Sequence, residues 1–136
     1  MTGHATMFTE RIDSTYYASR CAECHTVGYD IHAPAVNDGW DDVVDASTWT
    51  FAFGEGTWDT LCMDYPEIAA KSNIQCESCH GPGAAHLEDP TDKSVFAEGG
   101  TMWRHPGRRG CETCHDVENS PKFDYYEYLS RVDHTP

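Results

Sequence analysis

Three times the chain sets two cysteines three positions apart with a histidine directly after the second. The copies are Cys21-Ala-Glu-Cys24-His25, Cys76-Glu-Ser-Cys79-His80 and Cys111-Glu-Thr-Cys114-His115. On one helical turn, residues i and i+3 project to the same side. Two thiols so placed can add to the two vinyl groups of one porphyrin, while the imidazole at i+4 lies under the ring and reaches its iron. The pattern is the attachment signal for c-type haem. It predicts three haem c groups, with Cys21, Cys24, Cys76, Cys79, Cys111 and Cys114 as thioether residues and His25, His80 and His115 as proximal ligands. Zinc explains it less well. Linked zinc pairs usually lie about 12–20 residues apart, and these pairs are much further separated. Three pairs also do not divide into four-coordinate sites. A disulfide or thioredoxin-like role gives no reason for the three histidines.

Each iron has a sixth position, and its occupant separates electron transfer from catalysis. Five of the eight histidines remain for it: His4, His32, His86, His105 and His134. His86 follows the second motif through Gly81-Pro82-Gly83. That run is expected to end the turn and let the backbone pass close to a flat ring. His86 is too near its own haem to bend back, so it should ligate a neighbouring iron. His134 ends a stretch in which Ser120 reads as an N-cap, Pro121 as a first helical residue, and Tyr125, Leu129 and Val132 as an apolar stripe. His4, in Gly3-His4-Ala5, is a ligand within the chain or to another subunit. His105 and His32 stand in reserve. Met7, Met63 and Met102 are set aside as axial thioethers because histidine is abundant.

The run from Cys21 to Tyr29, the block Cys76-Glu-Ser-Cys79-His80-Gly81-Pro82-Gly83-Ala84-Ala85-His86, and Cys111 to Phe123 with Tyr128 and His134 beyond it resemble the multihaem cytochromes c of the c-554 type. More distantly they resemble the hydroxylamine-oxidoreductase-like proteins. Gly3-His4-Ala5 is similar to the family's His-Ala element. The resemblance implies His4, His86 and His134 as the distal set. Family members commonly carry a further haem motif N-terminal to these three, which this sequence lacks. The Trp- and Asp-rich stretch from Asp38 to Pro66 has no counterpart in that pattern.

The elements that must position these residues look sparse. The 136 residues carry 9 Lys+Arg against 23 Asp+Glu, a formal net charge of -14, and are 39% hydrophobic. The length fits one domain spanning residues 1–136. Its acidity argues against nucleic acid as a partner and against a polybasic membrane anchor. No window approaches the roughly 18 apolar residues of a membrane span. With little apolar side chain available, the haems are expected to staple the chain in place of a core. The fold class is therefore a small multihaem cytochrome c fold: a few short α-helices, much irregular loop and little β. Helices are predicted over Thr9–Arg20, Pro66–Ser72, Ser94–Ala97 and Pro121–Asp133. A short strand is predicted over Thr48–Phe53, in a hairpin closed near Gly54–Gly56. Irregular segments are expected at Ala33–Asp42, Gly81–Gly83 and Gly99–Gly110. Tyr16, Tyr17, Trp40, Trp49, Trp58, Trp103 and Phe123 are candidates to wall haem edges or simply to pack. Cys62, outside the motifs, reads as a buried, inert thiol, with pairing between molecules the other possibility. Asp38, Asp41, Asp42 and Asp45 lack the spacing of a calcium loop and read as a solvated face.

Thioether attachment takes place outside the cytoplasm, so a periplasmic or extracellular protein is expected. Met1 to Glu10 holds no apolar stretch of a signal peptide, so the numbering is expected to start after a removed leader or inside a longer precursor. The leading function is electron transfer through three closely spaced bis-histidine haems, with redox proteins as partners. A sharper form has copies stacking head to tail into an extracellular filament, since surplus histidine and a small chain favour contacts between molecules. The alternatives are a soluble periplasmic shuttle, and an enzyme acting on nitrogen compounds at one five-coordinate haem.

Overall fold

The computed structural model describes residues 6–17, 19–30 and 35–132. Short helices joined by irregular loops make up the chain, and the only β pairing among the described residues is an isolated antiparallel bridge between Thr26 and Ser72. No described helix is long and apolar enough to cross a membrane. The chain packs as two compact units divided between Ser78 and Cys79.

The first unit holds α1 (Met7–Arg11), α2 (Ser19–His25), α3 (Trp40–Ala46), α4 (Thr57–Asp64) and α5 (Pro66–Ala70). The single helix expected over Thr9–Arg20 is broken. Ser14 turns the chain instead: its N–H donates to the Arg11 carbonyl (2.8 Å), and its hydroxyl accepts from the Tyr16 N–H (3.3 Å). A serine that bonds its local backbone offers the chain an alternative to helix. Helix α5 begins with Pro66 at its first position, as expected, and ends two residues early at Ala70.

Helices α3 and α4 lie in the stretch with no counterpart in the resemblance. Asp42 anchors α3, accepting from the Asn37 N–H (2.8 Å) and the Gly39 N–H (3.2 Å). Asp38 pairs with Lys71 (3.2 Å), and Asp41 accepts from the Asp30 N–H (3.3 Å). The acidic run is thus spent largely on local turns and caps. The segment after His25 is clamped between elements. Val27 N–H donates to the Lys71 carbonyl, and the Val27 carbonyl accepts from Trp40 N–H, both at 2.9 Å. A Cβ on Gly39 would stand 2.2 Å from the Gly28 carbonyl oxygen, so this approach requires glycine.

The first unit has a side-chain core, contrary to the expectation that haem replaces it. Phe8, Ile12, Trp40, Leu61 and Ile68 are fully buried, with Tyr17, Ala22, Val44 and Trp49 around them. Trp40 and Trp49 therefore pack in the core, while Tyr16 is 96% exposed. No strand forms over Thr48–Phe53. The alternation still directs Trp49, Phe51 and Phe53 into one aromatic row, with ring centroids 5.2 and 5.3 Å apart, and Trp40 meets Phe51 edge-on at 5.3 Å. Side-chain packing takes the place of a partner strand. Cys62 is exposed, not buried, because α4 turns the neighbouring Leu61 inward.

Helix α6 (Cys76–His80) leads from the first unit into the second, which continues with α7 (Ala84–Glu88), a 3-10 turn (Ser94–Phe96), α8 (Arg108–Glu112) and α9 (Tyr125–Val132). The helix expected over Ser94–Ala97 is this tighter 3-10 turn. Helix α9 starts four residues later than expected. Its N-cap is Asp124, whose carboxylate accepts from the Glu127 N–H (2.9 Å), rather than Ser120. Val95 is the one buried hydrophobic side chain among the described residues of this unit. Leu87, Trp103, Val117 and Tyr126 are all exposed.

Candidate functional site

Each Cys-x-x-Cys-His run lies on a helical turn. The first closes α2 and the second spans α6. The third begins in α8 and continues past its end, where Cys114 and His115 N–H both donate to the Cys111 carbonyl, at 3.2 and 2.9 Å. Cys21, Cys24, Cys111 and Cys114 are half-buried, whereas Cys76 and Cys79 are exposed. No disulfide forms among the described residues, which include all seven cysteines. Each pair thus offers two thiols one turn apart, followed by an imidazole.

The histidine of each turn is held through Nδ1, by a different partner each time. His25 Nδ1 lies 2.6 Å from the Tyr17 hydroxyl, and the two rings stack with centroids 5.7 Å apart. Tyr17 is itself wedged edge-on between Phe8 and Phe53. Burial, with the nearby Cys21 and Cys24 adding to it, pushes the Tyr17 phenol well above its ordinary pKa. It therefore keeps its proton throughout the physiological range.

At the second turn, His80 Nδ1 lies 2.6 Å from the Trp103 carbonyl oxygen. A carbonyl can only accept, so Nδ1 donates here, which in a neutral imidazole leaves the lone pair on Nε2. That is the tautomer an iron ligand requires. A second bond returns, with Trp103 N–H donating to the His80 carbonyl (2.8 Å). Gly81 makes this close pairing feasible. Its φ is +80°, and a Cβ there would stand 2.4 Å from the Thr101 carbonyl oxygen. In the described structure Gly81 thus admits a neighbouring backbone.

At the third turn, His115 Nδ1 lies 2.8 Å from the Ser120 hydroxyl, and Phe123 stacks on the imidazole at 4.5 Å with 7° between planes. Asp116 shapes the loop between them, accepting from the Glu118 and Asn119 N–H groups (2.9 and 2.7 Å). Those bonds, the Asn119 backbone foremost, hold its carboxyl below the ordinary range. Beside this turn is an open cavity of about 240 Å³ walled by His115, Ser120, Phe123 and Tyr128. Burial, with Glu112 adding, raises the Cys111 thiol pKa.

The distal candidates divide. His86 sits on α7, half-buried, with its ring edge-on to Phe96 at 5.2 Å. Its Nδ1 is buried and meets no hydrogen-bond partner among the described residues. His105 is exposed. His4, His32 and His134 lie outside the described residues. No three His, Cys, Asp or Glu side chains gather into a metal-ion cluster among the described residues.

The donor set fits a c-type haem at each turn: two thiols on one turn, and an imidazole oriented through Nδ1. Sequence reasoning missed the orienting partners. Tyr17 was legible only as an aromatic, Ser120 only as a helix cap, and the Trp103 carbonyl carries no sequence signal. Comparison with protein families, curated proteins and solved structures finds no match to this chain.

Proposed function

We propose that the chain is an exported electron-transfer protein of the multihaem cytochrome c kind, holding three haem c groups and resembling the c-554 type. What carries this reading is the repetition of one donor set: three Cys-x-x-Cys-His turns, each with its histidine held at Nδ1. Haem supplies one-electron chemistry at its iron, and the protein's levers on it are axial ligands, burial and hydrogen bonding. Cys21 with Cys24, Cys76 with Cys79, and Cys111 with Cys114 form the thioethers. His25, His80 and His115 are the proximal ligands. His86, whose imidazole has unspent hydrogen-bonding capacity in a half-buried place, is a distal ligand together with His4 and His134.

The second unit supports the reading independently. Val95 is the one buried hydrophobic side chain among its described residues, little burial to set against the entropy of ordering a backbone. Covalent staples at its cysteines supply what burial does not. In this reading the protein is a carrier, not an enzyme. Expression with haem maturation, followed by electron paramagnetic resonance of the oxidised protein, tests it. Uniformly low-spin ferric signals are expected, and a high-spin signal would point to an open iron and catalysis.

Self-association into a filament is the finer form of this proposal. Surplus histidine, and a chain small for the shielding of three haems at every edge, favour it over a soluble shuttle. Electron micrographs showing only small particles, with a monomeric mass in solution, would remove it.

A further inference from the structure

We infer that Tyr17, the Trp103 carbonyl and Ser120, through their different bonds to histidine Nδ1, set the three haem sites at three different redox potentials, lowest at His80 and highest at His25. This rests on the haem reading above. Once Nε2 ligates iron, Nδ1 keeps its proton and must donate to whatever faces it. A partner that accepts this bond raises the basicity of the ligand, and the better it accepts, the greater the effect. A more basic imidazole favours the ferric state and lowers the potential. A peptide carbonyl is the strongest acceptor of the three, an aliphatic hydroxyl is weaker, and a phenol oxygen, its lone pair shared with the ring, is weaker still.

The surroundings act in the same direction. Tyr17 is 8% exposed and belongs to the aromatic core of the first unit, so the environment of His25 disfavours the more charged ferric site. Cys76 and Cys79 beside His80 are exposed, and water there favours the ferric state. His115 is half-buried, with Phe123 stacked on its ring. In each reduction one electron passes from electrode to ferric iron, and the Nδ1 proton stays in place. Tyr17 and Ser120 are positioning residues: they act through His25 and His115.

The test is voltammetry of the holoprotein and of its Tyr17→Phe and Ser120→Ala variants, with intact mass and electron paramagnetic resonance on each. Three haems by mass and low-spin signals throughout establish the underlying reading. Tyr17→Phe, which keeps the ring in the core, should raise the highest of three resolved potentials and leave the others in place. Ser120→Ala should raise the middle one, and Ser120→Thr should restore it. Unmoved potentials in a fully loaded, low-spin protein, or a shift at the lowest site, overturn the inference while leaving the haem reading intact. Fewer than three haems in the unsubstituted protein overturns both. If Tyr17→Phe fails to load, the Ser120 pair decides the matter alone.

Discussion

Each histidine after a cysteine pair is fixed by a contact made at a different distance along the chain: eight residues back for Tyr17, five ahead for Ser120 and 23 ahead for Trp103. The thiols and imidazoles were legible because their geometry is local to one turn. Their orienting partners were not, because two depend on loop paths and one is a backbone atom. Gly81 shows how tightly such a contact constrains the sequence. Alanine there must adopt a left-handed φ, at about 1–2 kcal/mol, and its Cβ meets the Thr101 carbonyl. Gly81→Ala should therefore lower the unfolding midpoint and loosen the His80–Trp103 pairing, seen as faster amide exchange at Trp103. An unchanged exchange rate would show that the pairing does not depend on glycine.

The helices of this chain are too short to stand on propensity, and tertiary contacts decide them. That explains which were legible. Helix α5 announced itself through Pro66, whereas α3, α7 and α8 hide among Gly- and Asp-rich segments without a long period. Helix α9 shows the apolar stripe read from Tyr125, Leu129 and Val132, but its cap is Asp124. Asp124→Ala should cost about 1 kcal/mol of stability, measured by denaturant unfolding, as N-cap removal does. Ser120→Ala should leave the start of α9 unaltered, since that hydroxyl serves His115. In the first unit, Trp40 anchors α3 in the core at 0% exposure. Trp40→Ala should cost about 3–5 kcal/mol in the same measurement. The turns before and at the 3-10 segment respond to acid. Asp89 accepts from the Thr91 side chain and backbone, and Asp92 from the Ser94 backbone and side chain, which lowers both carboxyl pKa values. Carboxylates so depressed hold their turns above the ordinary carboxylate range, and the stabilisation is lost as pH falls through their lowered values. Amide signals of Thr91 and Ser94 should therefore be steady at neutral pH and move only below about pH 4.

At the scale of the molecule, the composition hid an asymmetry. A 39% hydrophobic chain of charge -14 gave no sign that its apolar side chains concentrate in one unit, because partition between units is a tertiary outcome. The first unit closes on Phe8, Trp40 and Leu61, while among the second unit's described residues Val95 is the one buried hydrophobic side chain. Covalent haem is proposed at all three turns, and stapling has most to replace in the second unit. Acidity weakens both units through self-repulsion, which salt screens with a Debye length near 10 Å at 0.1 M. Raising ionic strength should accordingly raise the thermal midpoint, and a flat response would show that the charges are already compensated. The central claim is covalent attachment at three places, and intact mass of the exported protein under denaturing conditions measures it most directly. The account predicts a mass equal to the polypeptide plus three haems, falling by one haem when both cysteines of any one pair become alanine. A mass equal to the bare polypeptide after expression with haem maturation would contradict it.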